Sequence, residues 1–127
     1  MGQQMTELEA LDLWRKALTE SVRIEAPDLG ARQMAILLTI YLTPPPHTVR
    51  GLAARLNISK PAVTRAIDRL VEFQLARRKP DDADRRSVLI NRTVKGSVYL
   101  REFGELILKA AADSPIADRD GVAESRR

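Results

Sequence analysis

Arg65 and Arg69 stand four residues apart, so a helix through them sets both guanidinium groups on one side. A guanidinium is a planar fork of donors that matches the O6/N7 edge of guanine and also grips a phosphate. Ser59 and Thr64 add hydroxyls that bond a phosphate or a base edge, and Lys60 adds a point charge. Pro61 and Ala62 are small enough for close approach, and Ala62 suits contact with a thymine methyl. Further along, Arg85 and Arg86 follow Asp84 in a polar loop. Arginines at a loop end suit a minor groove, whose narrow A·T stretches concentrate negative potential. A carboxylate would be repelled by phosphate, so Asp84 is better suited to bracing an arginine and holding the loop in shape.

Other chemistries have little to work with. His47 is the only histidine and follows Pro44-Pro45-Pro46, which reads as an exposed loop residue rather than a catalytic base. The chain has no cysteine, which excludes a disulfide, a thiolate nucleophile and Cys-ligated zinc. Asp81, Asp82 and Asp84 lack EF-hand spacing, and no glycine-rich phosphate loop precedes a helix. The expectation is therefore no enzyme, no metal and no cofactor. Nor is there an apolar run of 18 residues or a signal-peptide layout, so no membrane association and a cytoplasmic setting at the nucleoid are expected.

The charge is unevenly placed. The 127 residues carry 21 Lys+Arg and 17 Asp+Glu, a net +4. Thr48 to Arg92 holds eleven basic and five acidic side chains, which is +6 and leaves −2 for the rest. A basic module in a slightly acidic frame suits a polyanion, although an ordinary solvated face has the same composition.

The periodicities supply the elements that must position these groups. Thr6 to Glu9 has capping-box spacing and opens a helix over about 6–24, with Leu11, Trp14, Leu18 and Val22 on one side. Leu13, Ala17 and Ile24 make a second apolar flank, so this helix has two things to pack against, its own domain and a second subunit. A second helix runs from Gly30 or Ala31 to Leu42, with Met34, Leu37, Leu38 and Tyr41 as its face, and the three prolines end it. Thr48 caps a short third helix with Val49, Leu52, Ala53 and Leu56 inward. After the turn Asn57-Ile58-Ser59, Ser59 caps a fourth whose buried stripe is Val63, Ile67, Leu70 and Val71. Pro61, Ala62, Arg65, Asp68 and Arg69 are expected to point the other way.

The period then shortens. Leu75–Lys79 and Ser87–Asn91 read as two strands joined by the loop Pro80–Arg86. Such a hairpin is marginal by itself and must lean on the helices beside it. Thr93 caps a last helix over about 93–112, where Tyr99, Phe103, Leu106 and Ala110 form a coiled-coil-like seam with Ile107 beside them. Residues 113–127 are expected to be a disordered tail. The expected fold class is mainly α with a small β-hairpin (α+β), one domain over 1–112. A helix-turn-helix lies at about 48–73 and the hairpin at about 75–92. A lone helical pair or a lone basic hairpin has a bland reading; the two in direct succession do not arise readily by chance.

Thr48-Val49-Arg50-Gly51-Leu52-Ala53-Ala54-Arg55-Leu56-Asn57-Ile58-Ser59, then Ala62-Val63-Thr64-Arg65 and Ile67-Asp68-Arg69-Leu70, resemble the winged helix-turn-helix of MarR-type transcription regulators. So do Pro80-Asp81, Asp84-Arg85-Arg86-Ser87-Val88 and Thr93-Val94-Lys95-Gly96. The resemblance covers about Gly30 to Leu100 and is weaker over the first helix. It implies a homodimer on a palindromic double-stranded DNA operator, usually a repressor released by a small effector, here unidentified. Carried over by position, recognition-helix contacts fall on Ser59, Lys60, Pro61, Thr64 and Arg65, and the minor-groove wing arginine on Arg86. Arg85 lies beside it and Asp84 is the bracing acid. Arg69 is added as a phosphate contact.

The sequence departs from the family by lacking a further amphipathic helix after residue 112. The dimer interface would then rest on Leu11, Trp14, Leu18, Phe103, Leu106 and Ile107. Without a cysteine, the family's peroxide-sensing branch is excluded. Trp14 and Tyr41 read either as core residues or as lining for an effector cleft. The alternative function is a winged-helix protein-interaction module without sequence-specific DNA binding, for which an exposed apolar recognition face would speak.

Overall fold

The computed structural model describes residues 4–113. Its elements are α1 (Glu7–Arg23), α2 (Ala31–Leu42), α3 (Val49–Leu56), α4 (Lys60–Glu72), β1 (Ala76–Pro80), β2 (Val88–Arg92) and α5 (Val94–Ala112). The fold is mainly α with one antiparallel hairpin, a winged helix. Contacts divide the chain into two compact units. One is Pro27–Leu100; the other joins the chain before Pro27 to the chain after Leu100. The expected tail lies outside the described residues from residue 114 on.

The central unit is built on a continuous apolar core. Ile36, Leu37 and Ile40 of α2, Leu52 of α3, Val63, Ile67 and Leu70 of α4, Leu75 and Ile90 are all essentially inaccessible. Each such burial contributes about 1.5–3 kcal/mol against chain entropy. The buried face of α2 is rotated from the expected one. Met34 and Tyr41 are half-buried and Leu38 is exposed, because α2 is apolar on nearly every side and periodicity alone does not choose its inner face.

Local chemistry sets the helix-turn-helix. Thr48 Oγ1 accepts from the Gly51 amide (3.0 Å) and starts α3, while Asn57 in the left-handed region ends it. Ser59 Oγ accepts from the Ala62 amide (3.2 Å) and starts α4, with Pro61 in the first turn where no helical bond is lost. Gln74, also left-handed, turns the chain from α4 into the hairpin.

β1 and β2 pair from Ala76↔Arg92 to Pro80↔Val88, one residue later in each strand than the sequence suggested. The hairpin leans on backbone as well as on helices. The Ile90 amide donates to the His47 carbonyl (2.8 Å), and Thr48 bridges Leu89. That contact corrects the reading of His47 as an exposed loop residue. It is 8% accessible, and its Nε2, which must carry the proton, lies 3.2 Å from the Thr43 carbonyl. The short run of chain between α2 and α3 acts as a third-strand edge for the hairpin, which strand periodicity does not reveal.

In the second unit, the Thr6 and Glu9 side chains exchange capping bonds of 3.1 and 2.8 Å with each other's amides. Ala17, Phe103 and Ala110 are buried, and the Trp14 and Phe103 rings meet at 5.9 Å. Phe103 and Ala110 are thus covered within the subunit. Leu106 and Ile107 are half-buried. Leu11 (66% accessible), Trp14 (43%) and Leu18 (40%) are the exposed members of the set, with Leu8 and Val22 extending the same stripe.

Candidate nucleic-acid interface

The outward side of α4 carries Lys60, Pro61, Thr64, Arg65, Asp68 and Arg69, all exposed. Ala62 does not join them. It is 7% accessible and faces α2 with Ala66, lining a shallow depression of about 360 Å³ together with Gly30, Ala31, Arg32, Gln33 and Arg65. The expected thymine-methyl contact through Ala62 is therefore lost. The buried stripe of α4 gains Ala62 and Ala66 over the one the sequence suggested, while Val71 is only half-buried, because α2 packs close enough to cover small side chains.

The polar groups differ in how free they are. Ser59 Oγ is committed as an acceptor to the cap, which leaves its hydroxyl proton to donate. Among the described residues, Lys60, Arg65, Arg85 and Arg86 have no side-chain ion pair. Arg69 is occupied: its guanidinium bonds Glu72 at 2.9 Å and lies 4.6 Å over the Phe73 ring. Arg78 of β1 pairs with Asp68 and approaches the Thr64 carbonyl at 3.5 Å, tying the hairpin to the recognition helix.

The wing tip is ordered by its acids. Asp81 Oδ1 accepts from the Ala83 amide (3.0 Å), and Asp84 Oδ1 accepts from the Arg86 amide (3.0 Å). Asp84 Oδ2 accepts a hydrogen bond from the Ser87 hydroxyl (3.3 Å). These are Asx turns, in which a carboxylate replaces a backbone acceptor. Asp84 holds Arg86 through its backbone, which leaves both wing guanidinium groups exposed at the tip.

The helix-turn-helix and the tip of this wing fall inside residues 29–88, the segment matched by the model of the MarR family. Over that segment the chain resembles the MarR family. Solved structures share its fold. The S. aureus MepR–DNA complex is 19% identical with a TM-score of 0.71, covering 94% of this chain and 96% of that one. YusO from Bacillus subtilis is 20% identical at 0.69, with 94% and 84% covered. Apo MarR from E. coli is 22% identical at 0.65, with 94% and 87% covered.

Within this MarR-like lobe, three participants are not legible in the sequence. Arg32 shares the depression with Arg65, yet it lies outside the basic segment and only tertiary packing brings it there. Arg78 was counted as charge without a partner. Tyr41 was weighed as core or cleft lining, whereas its hydroxyl serves the base of the wing. The Thr93 amide donates to Tyr41 Oη (2.9 Å), and Oη lies 3.0 Å from the Leu75 carbonyl. Tyr99 of the same lobe donates to the Pro27 carbonyl (3.1 Å), and burial, helped by the Asp28 charge, pushes its phenol above the ordinary value.

Proposed function

We propose that the protein is a sequence-specific double-stranded DNA-binding transcription regulator, acting as a repressor. Helix α4 reads the major groove and the wing reads the minor groove. The observation that carries this reading is that Lys60, Arg65, Arg85 and Arg86 are exposed in a single lobe and, among the described residues, have no ion pair. Exposed cations without intramolecular partners suit phosphate and base edges. MepR, with which the chain shares its fold, was solved bound to DNA.

In this reading Arg65 forks onto a base pair, Thr64, Ser59, Lys60 and Pro61 set the helix against the backbone, and Arg69 supports a phosphate contact. Arg86 enters the minor groove with Arg85 beside it and Asp84 bracing the loop. Residues 1–112 work as one domain, and Leu11, Trp14 and Leu18, backed by Phe103, Leu106 and Ile107, join two copies. A homodimer then meets a palindromic operator whose half-sites lie roughly 34–36 Å apart. A small-molecule effector and a place at the nucleoid belong to the same reading. No described helix is long and apolar enough to cross a membrane.

A protein-interaction module is not favoured, because among the described residues α4 exposes no large apolar side chain. The test is selection of genomic fragments by the purified protein, followed by affinity measurement on the selected duplexes. Recovery of a shared palindrome, bound at least a hundredfold tighter than random duplex at equal salt, supports the reading. Equal affinity for both sinks it.

A further inference from the structure

The register of the hairpin makes Leu75 and Thr93 the next rung beyond Ala76↔Arg92. That rung is not closed by backbone alone. The Leu75 amide turns away to the Leu70 carbonyl (2.9 Å), and the Thr93 amide donates to Tyr41 Oη (2.9 Å). The single hydroxyl proton of Tyr41 faces the carbonyls of Leu75 (3.0 Å) and Thr93 (2.9 Å). A phenol from α2 thus stands where the last ladder bond would be and links the two ends of the wing.

The surroundings hold the phenol in place. Arg92, the last residue of β2, lies over the Tyr41 ring at 5.6 Å and donates from Nε to the Ile40 carbonyl (3.2 Å). Thr93 Oγ1 donates to the Gln74 carbonyl (2.8 Å) and accepts from the Gly96 amide (2.9 Å), starting α5. Gly96 has no room for a side chain, since a Cβ there would collide with Tyr41 Oη and with the Leu75 carbonyl oxygen. The need for threonine and glycine in Thr93-Val94-Lys95-Gly96 is explained by a socket for this hydroxyl.

We propose that Tyr41 is a positioning residue for DNA recognition by the wing: its hydroxyl fixes the base of the hairpin relative to α2 and so fixes where Arg85 and Arg86 arrive. A two-stranded ribbon has little stiffness of its own. An angular error at its base becomes a displacement at its tip. The recognition helix is anchored in the core by Val63, Ile67 and Leu70, although the exposed Arg78–Asp68 pair also links it to the wing. The inference rests on the DNA-binding reading for its functional half only.

Tyr41→Phe keeps the ring and the Arg92 stacking and removes the hydroxyl. In the free full-length protein, amide exchange over 76–92 is expected to quicken while that of α4 stays as in the wild type. On a selected duplex with an A·T-rich flank, affinity is expected to fall roughly two- to tenfold, the net value of a hydrogen bond. In an Arg86→Ala background the same substitution costs little further affinity, and discrimination at the base pair read through Arg65 is unchanged. Equal losses with and without Arg86, or unchanged exchange in the wing, overturn the proposal. Faster wing exchange alongside wild-type protein that prefers no duplex supports the clasp and overturns the DNA reading instead.

Discussion

Arg78 of the wing strand is ion-paired with Asp68 on the outward side of the recognition helix. The pair couples the two DNA-facing elements and also masks one positive charge with one negative. Exposed ion pairs add little stability, so its effect should be felt in binding more than in folding. Asp68→Ala releases Arg78 to phosphate and removes a repulsive carboxylate. Binding to random duplex should tighten, and the slope of log K against log salt should steepen by about 0.9, the value of one phosphate neutralised. Anisotropy titrations at several salt concentrations check this, and an unchanged slope would contradict it.

Arg65 has no ion pair among the described residues and is exposed, so its removal should cost the fold nothing. Arg65→Ala should lose about 1–3 kcal/mol on the selected operator, the worth of a bidentate base contact, and much less on random duplex. Equal losses on both would reduce Arg65 to a phosphate contact.

The exposed stripe of α1 offers a test of pairing between copies. Leu11 and Leu18 each show 40% or more of their surface while Ala17, on the second apolar flank, is fully covered. Leu11→Asp with Leu18→Asp should yield a monomer by light scattering, with helical circular dichroism retained. Operator affinity should collapse because two half-sites can no longer be engaged together. A persisting dimer would place the interface elsewhere.

Gly96→Ala should destabilise the lobe by about 1–3 kcal/mol, the usual cost of overpacking, because one of the atoms in its way is the backbone carbonyl of Leu75. Thermal unfolding measures it. Gly104, where a Cβ meets nothing within 4 Å, is the control, and Gly104→Ala should be neutral or slightly stabilising in its helix.

Tyr99 gives a pH prediction. Its phenol ionises above the ordinary tyrosine value of 10.0 when folded, chiefly because burial disfavours the phenolate. The native state therefore holds this proton longer than the unfolded state. Its contribution is complete below pH 10 and is lost as pH rises through the folded value. Denaturant melts of the wild type should weaken more steeply above pH 10 than those of Tyr99→Phe, which starts lower for want of the bond to Pro27. Parallel curves would remove Tyr99 as the cause.

Much of this architecture was legible from residue order because it is made by short-range chemistry. Thr6, Thr48 and Ser59 each accept from an amide three residues on, as their spacing to the following turn requires. Asp84 was read as a brace for the loop, though its grip is on the Arg86 amide and not on a guanidinium. What stayed hidden depends on which distant surface comes near. The burial of Ala62, the socket around Tyr41 and the strand-like use of His47 all join elements far apart in sequence, and neither periodicity nor charge encodes those pairings. Helix α2 shows the limit most plainly, since a helix apolar all round leaves its rotation to the neighbours.

The Asx turns at the wing tip bear on timing. A flexible basic loop must be ordered on each encounter, whereas Asp81 and Asp84 already hold this one in shape. Substitutions that loosen these turns but keep the charge, such as Asp84→Glu, should therefore shorten how long a complex lasts while leaving its rate of formation, set by net charge and diffusion, almost untouched. The acids nearest the DNA would then act as the clock of the complex.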